Sequence, residues 1–199
     1  MFEVGEDGGV IFLRKRREAK KFWAHNSRME SKMRDSLGSV PLYGLGGWTG
    51  LRMAGLWEFS DDGNAETVSL RHGDPRDVTA PNVLVAVTRA DPAQVVKKLQ
   101  FGHTLTDQLP DRDAVRAARP GSPAPAPVGE CELLVEGRPR VFQLWQDSAG
   151  WQAACRLDDR CAIVLDAHRL SPAEATLVQI HDFETCLADR RTWIHKYFD

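Results

Sequence analysis

Cys155, Cys161, His168 and His181 carry the side chains that bind zinc, and Cys186 lies close in sequence to His181 and His195, as a thiol and its base would. Closed zinc sites use short, recurring ligand spacings, whereas here the separations are six, seven and thirteen residues. Cys155 also shares a period-two apolar face with Trp151, Ala153 and Leu157, which reads as a strand facing a core. No metal or cofactor is expected. The glycine-rich stretch "LGSVPLYGLGGWTGLRMAG" lacks the Lys-Ser/Thr pair that completes a phosphate loop after its glycines, so it reads as a flexible connector. Neither G-x-S-x-G nor H-E-x-x-H occurs, so the local signatures of serine hydrolases and zinc proteases are missing.

One further stretch, "VSLRHGDP", places Arg71-His72-Gly73 at the end of a β-prone run. It resembles the signature of the histidine phosphatase family. The resemblance implies that His72 would accept a phosphoryl group, Arg71 would steady its oxygens, and His103 in "FGHTL" would supply the second histidine. It covers only these few residues of the chain's 199 and lies well inside the sequence. Gly73 and Pro75 also favour a simple chain reversal. Phosphate-ester hydrolysis or phosphotransfer is therefore the alternative reading.

Charge gives the leading one. Residues 12–36 carry nine basic and three acidic side chains, a charge of +6, while the rest of the chain carries 17 basic and 25 acidic, a charge of −8. At 100° per residue, Ala19, Phe22, Met29 and Met33 fall on one stripe, and Arg14, Arg17, Lys20, Lys21, Arg28 and Lys32 crowd the other side. A basic amphipathic helix fits phosphate backbones, anionic membrane surfaces or an acidic protein face. An acidic protein face is the first expectation and nucleic acid the second, because nucleic-acid domains are usually basic throughout. Such a helix can also simply dock on its own protein.

The elements that must hold these groups read as an α+β chain. A hydrophobic content of 42% and a charged content of 27% suit a globular fold. No apolar run approaches the roughly 20 residues of a membrane span, so no integral membrane association is expected. The start lacks a secretory pattern and the cysteines lack a disulfide-dense spacing, which together point to the cytoplasm. Residues 1–50 are expected to hold a hairpin or strand, the basic helix and the glycine-rich connector. Residues 51–118 form a first sheet segment, with "GLWEF" and "AETVSLR" around an Asp62-Gly63 turn, then the buried run Val83 to Thr88. Asp91-Pro92 then opens a helix of about ten residues as N-cap and first helical position. Residues 119–129 are a Pro-rich linker. Residues 130–199 give an antiparallel meander, a second capped helix at Ser171-Pro172, and a last helix from about Phe183, with Phe183, Leu187, Ile194 and Phe198 on its apolar stripe.

Order is kept between two parts of the chain. Leu56-Trp57, Gly63, Ala65, a strand at 83–88 and Asp91-Pro92-Ala93-Gln94 are echoed by Leu144-Trp145, Gly150, Ala153, a strand at 161–165 and Ser171-Pro172-Ala173-Glu174, in the same order but at unequal spacing. Two related modules, with Trp57 and Trp145 in equivalent places, are the corresponding expectation. The chain as a whole reads as a non-catalytic cytoplasmic interaction or adaptor protein.

Overall fold

The computed structural model describes residues 20–21, 23–24, 27–28, 30–35, 40–46, 53–59, 67–73, 79–107, 123–146 and 150–195. Nine strands form one sheet: β1 (Tyr43–Leu45), β2 (Met53–Phe59), β3 (Thr67–His72), β4 (Asn82–Thr88), β5 (Gly129–Val135), β6 (Arg138–Gln146), β7 (Trp151–Arg156), β8 (Ala162–His168) and β9 (Thr176–Gln179). Their order is β1-β9-β5-β6-β7-β8-β4-β3-β2, and every neighbouring pair is antiparallel except β5 with β9. The sheet curls until β1, at one end of the order, returns against β3 and β4 near the other.

The curled sheet closes around one core. Val68 and Leu70 of β3, Val83, Val85 and Val87 of β4, Phe142 of β6, Ala153 of β7, and Ile163 and Leu165 of β8 all point into one buried core. The outer face of the same strands is covered over part of its area by α2 (Pro92–Asp107), where Val95 and Val96 pack on Leu84, Ala86, Trp145, Ala154 and Val164. Strands buried on both faces lose the apolar/polar alternation and read as continuous hydrophobic runs. That is why "VLVAV" and "AIVL" do.

The connections differ in part from expectation. Asp91 does cap α2, its Oδ1 accepting the Ala93 N–H at 3.4 Å, but the helix runs for 16 residues rather than about ten. After Pro172 there is only a three-residue 3-10 turn, Pro172–Glu174, and the chain then enters β9 instead of a helix. β-branched Thr176 and Val178 suit a strand, and β9 gains ladders on both sides, from β5 and β1. The glycine-rich connector is likewise partly ordered: Val40 and Leu42 are buried and Tyr43–Leu45 form β1. In the Pro-rich stretch, Pro125 O accepts the Trp145 indole N–H at 2.9 Å, so residues 123–128 lie along β6. The segments on either side of it share one sheet through the seven-residue β4–β8 register.

At the amino end, the described residues from Lys20 to Arg28 are helical, followed by α1 (residues 30–35). Arg14, Arg17, Phe22 and Met29 lie outside the described residues, as do the Asp62-Gly63 turn and Phe198. The side chains of Trp57, His103 and Ile194 are also outside them. α3 (Phe183–His195) starts at Asp182, whose carboxylate accepts the Thr185 N–H at 3.0 Å and its hydroxyl at 2.7 Å. Phe183 and Leu187 of its expected stripe are buried in the core.

Candidate functional site

α1 is fixed to the body by one face. Met33 is fully buried in the main core. Beside it Glu30, only 2% exposed, is paired with Arg191 of α3, whose Nε reaches Glu30 Oε1 at 3.4 Å while its Nη2 bonds the other oxygen. One turn on, Arg34 holds Glu184 through both carboxylate oxygens, Nη2 to Oε2 at 2.9 Å. This bond is the main cause that lowers the Glu184 pKa below the usual carboxylate range, and its Arg34 side is raised by the same contact. Two α3 side chains of opposite sign thus match two helical ones.

The cationic residues expected to bind a partner lie elsewhere on the helix. Lys20, Lys21, Arg28 and Lys32 are all exposed. At helical spacing Lys21, Arg28 and Lys32 fall within an arc of about 40°, well separated from Glu30 and Met33. Met33 belongs to the apolar stripe legible in the sequence, whereas the ion pairs of Glu30 and Arg34 with α3 were not legible there. The available signal was Glu30 itself, a charge about 60° from Met33 on the wheel, at the border of the apolar stripe.

Arg71 and His72 do not converge. Successive residues of a strand face opposite sides of the sheet. Arg71 points outward, where its Nη1 donates to Asn82 Oδ1 at 3.2 Å. His72 points inward with Leu70 and is 5% exposed, and its Nε2 accepts the backbone N–H of Leu45 in β1 at 3.3 Å. A phosphoryl acceptor and its clamp must reach one phosphate, and these two side chains lie on either side of the sheet. His103 belongs to α2, which packs on the outer face, opposite His72. The imidazole instead links β3 to β1 where the curled sheet meets itself.

None of the four cysteines is in a disulfide. Burial is the main cause that raises the pKa of Cys131, Cys155 and Cys161 above the ordinary thiol value. No group of three His, Cys, Asp or Glu side chains that could hold a metal ion occurs among the described residues. A polar string that the sequence flagged only by an acid within an apolar run crosses the outer face: Gln100 of α2 donates to Gln152 Oε1 at 2.9 Å, and Gln152 donates to Asp166 Oδ1 at 3.1 Å. Gln152 is fully buried and Asp166 is 5% exposed, so the string ties α2 to β7 and β8.

Fold and site together define an α+β protein built on a curled, mostly antiparallel sheet with a charged helical segment docked at one end. No helix among the described residues is long and apolar enough to cross a membrane. No family model, no curated protein and no solved structure matches the chain.

Proposed function

We propose that the chain is a non-catalytic interaction or adaptor protein that binds an acidic protein surface through the basic face of its N-terminal helix. The observation that carries this reading is the division of labour on that helix. Glu30, Met33 and Arg34 hold it to the body, and Lys20, Lys21, Arg28 and Lys32 are exposed to solvent. A helix fixed on one side presents its charges at little further entropic cost, which favours binding. Arg14 and Arg17 would extend the same row. Nucleic acid is the second partner class. Four cysteines outside any disulfide are compatible with action in the cytoplasm.

The test uses the full chain and immobilised polyglutamate. Retention at low salt, lost with added salt and in the Lys21→Glu/Arg28→Glu variant while thermal unfolding is unchanged, is the expected result. Tighter retention on duplex DNA would move the reading to nucleic acid. Equal retention of the variant would refute it.

The same proposal includes descent of the body from two related β-meanders. A row of paired residues crosses six strands in the order Leu56, Leu70, Val85, Leu165, Ala153, Leu144. A two-fold axis between Val85 and Leu165 exchanges β4 with β8, β3 with β7 and β2 with β6, and it carries Leu56-Trp57 onto Leu144-Trp145. It also carries Pro92 onto Pro172, since each stands at the same remove from its strand. The Leu-Trp pairs and the two prolines are among the residues whose order is echoed in the sequence, whereas Ala153 corresponds to Leu70 rather than to Ala65; the unequal spacing falls in the hairpin connections. Beyond the two prolines the halves diverge into α2 and β9.

A further inference from the structure

The large apolar side chains most exposed to water among the described residues gather on one part of the outer face. They are Val128 at 66%, Leu134 at 42%, Val141 at 58% and Val178 at 41%. Strand alternation puts Glu130, Glu132 and Leu134 on the outward side of β5, and Val128 continues that side one step earlier, its N–H bonded to Leu144 O at 2.7 Å. Across the ladder Val141 stands opposite Glu132 and Pro139 opposite Leu134. On the other flank Thr176 pairs with Leu134, and Val178 follows on the same side of β9. The strip therefore runs over β6, β5 and β9, beyond the area that α2 covers.

Two exposed carboxylates, Glu130 and Glu132, sit within this strip. On β6 the cations Arg138 and Arg140 alternate to its other side, where Arg140 acts on buried Tyr43, while Arg156 of β7, exposed on the same outward face as Ala154, borders the strip beside Val141 and leaves the two carboxylates in excess. A contiguous apolar patch with a polar border marks an interaction surface, and the sign of its embedded charge selects the partner. We propose that the outward face of β6, β5 and β9 is a second docking surface, which takes a protein segment presenting apolar side chains bracketed by Lys or Arg. A second copy of the chain docked by a two-fold axis would set Glu130 and Glu132 against the same carboxylates, and this repulsion favours a basic occupant. The surface is opposite in sign to the N-terminal helix, so the two can be engaged by different partners. The inference does not depend on what the helix binds.

The probe is a short amphipathic peptide of alternating Leu and Lys, with its Leu/Glu counterpart as control, titrated into the full chain by calorimetry. Saturable binding of the Leu/Lys peptide alone is expected, weakened at least tenfold by Leu134→Ser/Val141→Ser and by Glu130→Gln/Glu132→Gln. The Lys21→Glu/Arg28→Glu variant should bind as the parent does. All these positions are exposed, and matching thermal unfolding curves establish that each variant is folded. Absence of binding, equal binding by every variant, or equal binding of the Leu/Glu peptide would overturn the proposal. So would concentration-dependent self-association that Leu134→Ser/Val141→Ser abolishes, because the occupant would then be a second copy.

Discussion

Buried thiols and the buried amide string are the residue-scale features whose physics leads to measurement. Burial raises the pKa of Cys131, Cys155 and Cys161, and of Tyr43, in the folded chain. A group whose folded pKa is raised contributes stability below its unfolded pKa and loses that contribution as pH rises through the folded one. The urea midpoint should therefore fall between pH 7 and pH 10, and it should fall less in the Cys131→Ala/Cys155→Ala/Cys161→Ala variant. An unchanged slope would mean that these thiols titrate normally. Gln152 poses a different problem, since it is fully buried and donates to a nearly buried carboxylate. Gln152→Leu removes that donor and should cost about 1–3 kcal/mol in urea denaturation. The sequence foretold Cys155 as core through its period of two. It could not foretell the partner of His72, because the Leu45 N–H comes from a stretch whose glycines read as a connector.

At the scale of elements, the docking of α1 on α3 decides how the basic face is presented. Met33→Ala should lower stability by about 2–5 kcal/mol through the lost apolar contacts and the cavity left behind. Arg191→Ala removes the cation paired with buried Glu30 and should cost about 3 kcal/mol. The exposed Arg34–Glu184 pair adds a pH dependence. Because the folded pKa of Glu184 is lowered, chiefly by its bond to Arg34, the pair stabilises docking above the ordinary carboxylate range and fails as pH falls through the lowered value. Amide protection over residues 30–35, measured relative to the intrinsic exchange rate at each pH, should thus fall on acidification, and Glu184→Gln should remove most of that dependence. The helix start at Asp91 was legible because its capping chemistry is local, and the last helix, from about Phe183, was legible through its apolar stripe. The expected helix after Pro172 was not. There the same Ser-Pro-Ala-Glu grammar meets two waiting strands, and the ladders from β5 and β1 outweigh a local cap.

For the whole molecule the question is whether the Pro-rich stretch separates two bodies or merely joins strands of one. Local signals gave the strands of both meanders. The β4–β8 register, with the β1–β9 ladder at the other end of the order, makes them one sheet, and nothing in either segment states these contacts between positions far apart in sequence. The β4–β8 junction is a seven-residue antiparallel ladder with Val85 and Leu165 paired in its middle and buried side chains on both faces. Unfolding should accordingly follow a single cooperative transition. A protease site inserted at Gly121 gives the decisive form of the experiment. After cleavage the two pieces should remain together in gel filtration without denaturant, since β4 and β8 keep their ladder and the shared core keeps its apolar surface out of water. Val85→Asp would set a carboxylate in the middle of that junction, where no solvation is available, and should release the pieces once the chain is cut. Val141→Asp, on the exposed face of β6, should leave them joined. Two separate transitions in the uncut chain, or separation of the cut pieces with Val85 intact, would show that each meander stands alone. The two-fold row from Leu56 to Leu144 would then be an interface between two modules rather than the middle of one core.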